Sequence, residues 1–274
     1  MLQLLKVGAD IEIFLKDQKG KPVPSCGLIG GTKEQPRPID NEGSALQEDN
    51  VMLEFNIIPS ATADSFKEHI NKVLVCIIEE LSINNLVMDI TPSKVFPKKA
   101  LSHPQAKTMG CDPDFSAWTL RQNPLINPKQ MKRLRTSGGH VHISFQADGK
   151  DPNNLQKVNL IRMLDLALGI PSVLLDDDMD RRTAYGKAGA YRYKASDRVE
   201  YRTLSNFWIK NDTLKEWVFN NVRWAFSQLN NGYDFISNNF WGELHRERIE
   251  ASILTGDPMI ALDLIKTFNI PMPS

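Results

Sequence analysis

The sequence of 274 residues contains only three cysteines, Cys26, Cys76 and Cys111, which are far apart and odd in number. Their spacing fits neither a disulfide framework nor a cysteine-based metal site, so we expect a reducing compartment such as the cytoplasm. Net charge is also lacking, because 33 lysines and arginines balance 33 aspartates and glutamates. A neutral chain gives no electrostatic reason to expect binding to nucleic acid or to an anionic membrane surface.

Long apolar segments are missing as well. The chain has no run of about 20 apolar residues, so we expect no transmembrane helix. Asp10 interrupts the short apolar start of the chain, so we also expect no signal peptide. The chain also lacks a Walker loop of the form Gly-x-x-x-x-Gly-Lys-Ser/Thr and a Gly-x-Gly-x-x-Gly motif after a strand. A nucleotide would therefore have to be held by metals and arginines rather than by a glycine-rich loop.

The pattern of apolar residues indicates a mixture of strands and helices. Hydrophobic residues make up 41% of the chain, which is enough for a sizeable core. Apolar spacing predicts helices over 65–81, with a capping box of Ser65 and Glu68, and over 154–168, ending near Gly169 and Pro171. Predicted strands cover 4–15, 51–58, 86–90, 139–146 and 198–204, and the segment 176–197 is predicted to be a polar loop. Because strands and helices do not alternate strictly, we predict one α+β domain over 1–274 with a largely antiparallel sheet.

Four of the predicted strands carry an unusual polar face. Side chains two positions apart lie on the same side of a strand, and one such face alone would most simply be solvated. Exposed strand faces usually carry threonine, lysine and branched residues, whereas these faces gather carboxylates, imidazoles and guanidinium groups. Together they predict a site. The residues concerned are Asp10 and Glu12, Glu54 and Asn56, His140 and His142, and Arg198, Glu200 and Arg202.

The residue types on these faces indicate divalent cations. Carboxylates with one or two imidazoles suit Mg²⁺ or Mn²⁺, and the absence of thiolates argues against a structural zinc site. Glu48 and Asp49, just before the second polar strand, could add a ligand or form an exposed acidic loop. Gly138 and Gly139, which precede the histidine pair, would let the backbone approach a ligand. The candidate ligands for two ions are Asp10, Glu12, Glu54, His140 and Glu200.

A basic cluster lies further along the chain. The guanidinium fork of arginine matches phosphate and carboxylate oxygens, so such a cluster beside divalent ions suits a polyphosphate in transfer. The alternative is a solvated loop that neutralises the aspartates at 176–178 and Asp180. The cluster comprises Arg181, Arg182, Lys187, Arg192, Lys194, Arg198 and Arg202.

The order of these motifs resembles a known family. The motifs are Asp10-x-Glu12, Glu54-Phe55-Asn56, Gly139-His140-Val141-His142, Arg182-x-x-Tyr185-Gly186 reaching Arg192, and Glu200-Tyr201-Arg202. In this order they resemble the carboxylate–amine ligases of the glutamine synthetase and glutamate–cysteine ligase superfamily, in particular the phage-type COOH–NH2 ligases (amidoligases) of type 2. The resemblance spans residues 8 to about 208. It implies a curved antiparallel half-barrel with helices on its outer face, and host cytoplasm as the location if the chain is phage-encoded.

The resemblance also implies a reaction and its cofactors. ATP and two or three Mg²⁺ or Mn²⁺ ions would bind the inner face of the sheet. A substrate carboxylate, on a small molecule or a peptide, would attack the γ-phosphate of ATP and become an acyl phosphate. An amine would then displace phosphate and form an amide. The loops over 21–48 and 91–137 are expected to border the substrate pockets.

The resemblance assigns the metal ligands residue by residue. Glu12 and Glu54 look like ligands of the metal nearer the acceptor. Asp10, His140 and Glu200 look like ligands of the metal nearer the ATP phosphates. Asp10 stands where the superfamily often has glutamate, and the shorter side chain would move that ion slightly.

The resemblance also assigns the residues that handle phosphate. His142 resembles the histidine beside the nucleotide phosphates. Arg192 and Arg202 resemble the arginines that steady the phosphoryl group and the substrate carboxylate. Further predicted catalytic residues are Arg198 and Glu54, and further predicted nucleotide-binding residues are Arg182 and Lys187.

Two other functions fit parts of the pattern. A cupin-like oxygenase would bind Fe(II) through His140, His142 and one carboxylate and would be indifferent to ATP, but it has no use for so many arginines. A degenerate relative would only bind a nucleotide or a peptide, but the full set of candidate ligands counts against that reading.

Overall fold

The computed structural model describes residues 1–107, 113–124, 131–176, 179–233 and 240–274, without side chains for 240–244. Cys111 and the aspartates at 177 and 178 therefore lie outside the described residues, as does part of the segment 91–137. Cys26 and Cys76 are free thiols.

Within the described ranges the chain forms a ten-stranded sheet and a separate two-stranded sheet. In the large sheet the order is β3-β4-β5-β1-β10-β12-β11-β8, with β2 and β6 paired to β1. Its pairings are antiparallel, and among the described residues its edge strands β3 and β8 do not pair with each other, so it is not a closed barrel. The strands are β1 (Leu2–Asp17), β2 (Pro22–Val23), β3 (Arg37–Pro38), β4 (Ala45–Asp49), β5 (Met52–Asn56), β6 (Leu86–Asp89), β7 (Ser93–Val95), β8 (Phe115–Ser116), β9 (Leu134–Thr136), β10 (Gly139–Ala147), β11 (Ala190–Ala195) and β12 (Arg198–Tyr201).

Helices pack with the apolar face of the large sheet into one buried core. Ile11 and Ile13 of β1 and Val141 and Ile143 of β10 belong to this core, which leaves the even-numbered residues of these strands on the other face. The predicted α+β class with an antiparallel sheet is confirmed. The helices are α1 (Ala63–Ile83), α2 (Pro104–Lys107), α3 (Asn154–Leu164), α4 (Ile170–Leu175), α5 (Met179–Ala184), α6 (Asp212–Asn230), α7 (Phe240–Thr255) and α8 (Pro258–Phe268), with 3₁₀ turns at Lys98–Leu101 and Asn206–Lys210 and a π turn at Asp165–Gly169.

The first long helix begins one turn earlier than predicted. The hydroxyl of Thr62 accepts a hydrogen bond from the backbone N–H of Ser65 at 3.2 Å, and the hydroxyl of Ser65 accepts one from the N–H of Thr62 at 3.4 Å. The predicted capping box of Ser65 and Glu68 is therefore wrong. The same three-residue spacing works at Thr62 because that residue has the extended backbone of an N-cap.

The predicted end of the second helix near Gly169 is also wrong. The helical run continues from α3 through the π turn into α4, where Pro171 lies at the start of the new segment and its missing N–H does no harm. This run, Asn154–Leu175, is long and apolar enough to cross a membrane, but 83% of its most apolar window is buried inside the protein. It therefore serves as a core helix in this fold.

Seven strands lie in segments predicted mainly as loops, and the longest of these strands are β4 and β11. β11 falls within the predicted polar loop 176–197, and β4 pairs with β5 around Asn50, whose φ of 56° makes the tight reversal possible. In β11 the aromatic residues Tyr191 and Tyr193 alternate with Arg192 and Lys194. Because the residues around this alternation are largely charged and polar, the sequence did not predict a strand here.

Asp165, in the π turn, is buried and accepts hydrogen bonds from Trp118 Nε1 at 2.6 Å, Tyr201 Oη at 2.8 Å and Thr203 Oγ1 at 3.2 Å. Burial raises the pKa of this carboxyl to about 7, although the three donors oppose the change. The folded protein therefore keeps a proton that the unfolded chain loses near pH 4. Stability from this group declines as pH rises from about 4 to 7, by at most about 1.4 kcal/mol per pH unit.

Asp165→Asn removes this titration, so we expect its free energy of unfolding to fall less steeply over that pH range than that of the wild type. Urea titrations at pH 4.5, 5.5, 6.5 and 7.5 measure both slopes. Parallel pH dependences of the two proteins would show that Asp165 is ionised in the fold.

Candidate active site

The register of five adjacent strands, β5, β1, β10, β12 and β11, gathers the predicted polar residues on one face. In an antiparallel pair, directly opposite residues lie on the same side of the sheet. These strands therefore form a continuous polar surface opposite the apolar core. The opposite pairs are Asp10 with His140 and Asn56, Glu12 with Glu54, and Glu200 with His142 and Arg192.

A cavity of about 360 Å³ lies on this face, which is within the range of small-molecule sites. It contains both acidic and basic side chains from the central strands and from the loop before β3. The predicted site residues that line it are Asp10, Glu12, Glu54, His140, Arg192, Glu200 and Arg202. The cavity is also lined by Asn56 of the polar face, Glu48, Asp49 and Lys194 of the basic cluster, and by three residues that no motif singled out, Lys33, Pro36 and Gln47.

Four predicted site residues, His142, Arg182, Lys187 and Arg198, are not among the described residues that line the cavity, and the last three are engaged elsewhere. The buried Arg182 donates through Nη2 to the carbonyl oxygens of Ser172, at 2.7 Å, and Asp176, at 3.1 Å, so it holds the end of α4. Arg198 donates to Ser144 Oγ at 3.2 Å, toward the far end of β10. The carbonyl oxygen of Lys187 accepts from Thr203 Oγ1 at 3.0 Å. Sequence spacing alone could not distinguish these side chains from Arg192 and Arg202.

Asp10, His142 and Glu200 form a compact group that could bind a cation. Each offers a ligand atom, and these atoms lie within 4.8 Å of one another. His142 Nε2 is 2.9 Å from Asp10 Oδ2. The prediction placed His140 in this group and His142 beside the phosphates, whereas the structure brings His142 to the two carboxylates.

His140 is engaged by other residues. Its Nδ1 lies 3.3 Å from Nη1 of Arg202 and 3.4 Å from Oε1 of Glu200; because the arginine is the nearer group and can only donate, we assign the ring proton to Nε2. Nε2 then donates to the hydroxyl oxygen of Tyr185 at 3.0 Å, and this oxygen also accepts from Nη2 of Arg202. Burial, together with the charge of Arg202, holds the pKa of His140 well below its usual range, so the ring is neutral.

Glu200 has an environment that favours its charged form. It is 1% exposed and pairs with Arg202, and its Oε2 lies 3.0 Å from Nζ of Lys194. Burial alone would raise the pKa of this carboxyl, but the charge of Arg202 holds it far below the usual range. Glu200 is therefore a carboxylate and can act as a ligand.

Three carboxyl groups at the other end of the cavity show the opposite behaviour. Burial, with the charge of Asp49, raises the pKa of Glu12 to about 7. Burial and the nearby Glu12 raise the pKa of Glu54 well above its usual value, and burial raises that of Asp49. A divalent cation between them would relieve this repulsion. We refer to Glu12, Asp49 and Glu54 as the acidic end of the cavity.

The two glycines before His140 make room for neighbouring protein atoms. A Cβ on Gly138 would lie 2.2 Å from Nε2 of His140, and one on Gly139 would lie 2.3 Å from the carbonyl oxygen of Ser205. The N–H of Gly138 donates to the carboxylate of Glu12. The prediction that these glycines admit a ligand is thus replaced by a packing role that fixes His140 and Glu12.

Arg181 holds together the backbone around these residues. It is 1% exposed, and its guanidinium donates to the carbonyl oxygens of Ser137 at 2.6 Å, Thr203 at 2.8 Å and Leu204 at 2.6 Å. Ser137 precedes the glycines, and Thr203 follows Arg202. Arg181 therefore joins the segment that carries His140 to the segment that carries Arg202.

Residues 130–231 match a family model described as Phage phiEco32-like COOH.NH2 ligase-type 2. The match covers the His140–His142 strand, the basic segment and the Glu200-Tyr201-Arg202 motif. It confirms the resemblance to the phage-type COOH–NH2 ligases that the motifs indicated. No curated protein sequence matches the chain.

The chain is also similar to solved structures. A structure of a GmaS/ADP complex has 12% identity and a TM-score of 0.45, covering 97% of this chain and 68% of that chain. A bifunctional glutathione synthetase from Pasteurella multocida has 10% identity and a TM-score of 0.47, covering 97% and 49%. The chain thus spans about half the length of that synthetase.

Arg181→Met should destabilise the protein by about 2 kcal/mol or more, because the carbonyl oxygens of Ser137 and Thr203 lose the arginine donor, at about 1–3 kcal/mol each, while that of Leu204 keeps the N–H of Gly139. Arg198→Met, which removes one hydrogen bond to Ser144, serves as the matched control and should cost less than about 1.5 kcal/mol. Urea denaturation followed by tryptophan fluorescence measures both. If the two variants lost equal amounts of unfolding free energy, Arg181 would not be holding these segments together.

Proposed function

We propose that this protein is an ATP-dependent carboxylate–amine ligase that forms an amide through an acyl phosphate, with residues 1–274 as one catalytic domain in a reducing compartment. The observation that carries the proposal is the cavity itself. It combines carboxylates in two groups with the guanidinium groups of Arg192 and Arg202. The family described for residues 130–231 supports the same chemistry.

Two groups of residues would hold divalent cations such as Mg²⁺ or Mn²⁺. Asp10, His142 and Glu200 offer two carboxylates and one imidazole, and the acidic end offers three carboxylates. Oxygen-rich sets of this kind fit these hard cations. When bound, the cations would supply positive charge opposite the oxygens of the transferring phosphoryl group.

The basic residues would bind and orient the phosphoryl group. Arg202 is held rigidly, because it pairs with Glu200 and its Nε lies 3.4 Å from Oδ2 of Asp114. Arg192 lies opposite Glu200 on the neighbouring strand and lines the same cavity. Donors that are fixed before the reaction stabilise developing charge without rearrangement.

The proposed reaction has two steps. An oxygen of the substrate carboxylate bonds to the γ-phosphorus of ATP, and ADP leaves with the electron pair of the broken P–O bond. The amine nitrogen then bonds to the acyl carbon and phosphate leaves. The amine proton must pass to a base, and we assign this role to Glu54, at the acidic end away from the arginines.

The geometry argues against the cupin-like oxygenase. Such an enzyme needs two imidazoles and a carboxylate around one iron. Both ring nitrogens of His140 are engaged by Tyr185 and Arg202, and among the described residues it is His142 that forms the compact group with Asp10 and Glu200.

Hydroxylamine can replace an unknown amine, because it converts an acyl phosphate into a hydroxamate. With ATP, Mg²⁺ and a panel of amino acids and acidic peptides, we expect hydroxamate and ADP in equal amounts. Glu200→Gln should lower this rate by on the order of 100-fold or more, through loss of a charged ligand and of the partner of Arg202. Circular dichroism checks that the variant is folded.

Arg198→Ala is the matched control for that assay, because Arg198 lies outside the cavity lining, and it should stay near the wild-type rate. Wild-type turnover in Glu200→Gln, or turnover without Mg²⁺, would contradict the proposed ligase.

A second test separates the two histidines. His142→Ala should weaken Mn²⁺ binding by at least about tenfold, because it removes a ligand, and His140→Ala should weaken it less, since His140 acts only through Glu200 and Arg202. Electron paramagnetic resonance of free Mn²⁺ measures both affinities. If His140→Ala weakened Mn²⁺ binding more than His142→Ala, His140 and not His142 would be the ligand.

A further inference from the structure

A loop of residues 25–36, which we call the strap, connects β2 to β3 and borders the acidic end of the cavity. Lys33 and Pro36 of the strap line the cavity. The strap belongs to the segment expected to border a substrate pocket. Its position depends on a carboxylate that belongs to neither proposed cation site.

The carboxylate of Glu48 holds the strap. Its Oε2 accepts the backbone N–H of Gly27 at 2.8 Å, and its Oε1 accepts those of Ile29 and Gly30, both at 2.9 Å. Register places Glu48 opposite Leu53; it also lines the cavity, but both of its carboxylate oxygens accept from the strap. Glu48 is thus committed to the strap, whereas Asp49 faces the acidic end.

The strap has little freedom to move at its contact with β4. The N–H of Glu48 donates to the carbonyl oxygen of Gly31 at 3.2 Å. Gly31 has a φ of 81°, and a Cβ there would lie 2.4 Å from the carbonyl oxygen of Leu46 and 2.8 Å from the nitrogen of Arg37. Only glycine fits this approach.

The anchored strap presents Lys33 to the acidic end. Among the described lining residues, the other basic side chains are Arg192 and Lys194 on β11 and Arg202 after β12, at the opposite end of the strand order. A divalent cation at the acidic end would therefore be repelled by Lys33.

We propose that Glu48 is a positioning residue that fixes the strap so that Lys33 weakens divalent-cation binding at the acidic end. As the concentration of a divalent cation rises, the acidic end then binds its cation after the group of Asp10, His142 and Glu200 has bound one. This inference rests on the proposed function, because it assumes that the cavity binds two divalent cations.

Mn²⁺ alone, titrated into the full chain by calorimetry, tests the role of Lys33. Lys33→Ala should lower the Mn²⁺ dissociation constant of the weaker of two sites by about three- to tenfold. The substitution removes one positive charge that repels the cation and that water partly screens. Lys150→Ala, in the exposed turn after β10, is the matched control and should leave both sites unchanged. An unchanged weaker site in Lys33→Ala would overturn the proposal.

Gly31→Ala tests whether the strap is what places Lys33, since it displaces the strap without altering any charge. It should tighten the weaker site as Lys33→Ala does, and the double variant should show no further gain. Additive effects would overturn the positioning role.

Hydrogen–deuterium exchange tests the anchor independently of any metal. Glu48→Gln should speed exchange at the amides of Gly27, Ile29 and Gly30, whereas Lys33→Ala should leave them protected. If these three amides stayed equally protected in Glu48→Gln, Glu48 would not be what holds the strap. If the wild type bound no Mn²⁺, the proposed function would fail while this exchange result still stood, so the two failures are distinguishable.

Discussion

The register of β1 with its two neighbours is the constraint on which the site depends. β1 pairs with β5 and β10 at once, so Asp10 lies opposite both His140 and Asn56. A slip of one residue would turn the whole polar set toward the helices. The buried Ile11 and Ile13, packed in the core on the other face, oppose such a slip because it would expose them. The apolar core thus fixes the geometry of the polar cavity.

In this arrangement of strands, glutamate side chains at different positions have different pKa values. Glu200 is kept charged by Arg202, whereas Glu12, buried beside Asp49, has a pKa raised to about 7. The arginine-rich end of the cavity suits phosphate, and the carboxyl-rich end suits a cation beside the acceptor. This division of charge across one sheet is what supports the proposed two-step chemistry.

The sequence predicted the shared polar face because strand alternation is a local property that Asp10 and Glu12 display directly. It could not choose between His140 and His142, since that choice depends on Tyr185 and Arg202, which approach from distant segments. Likewise Arg182 and Arg192 look alike in a basic segment, and only the fold buries one against α4 and turns the other toward the cavity. The π turn at Asp165 left no local signal.

The two edges of the large sheet have a consequence for the behaviour of the chain at high concentration. Its terminal strands, β3 and β8, are each only two residues long, and Pro38 in β3 has no N–H to offer. Neither border therefore presents an extended row of unsatisfied backbone groups on which another copy could add a strand. β2 and β6, the outer strands that flank β1, are two and four residues long, so among the described residues the large sheet offers no long edge for fibril-like stacking.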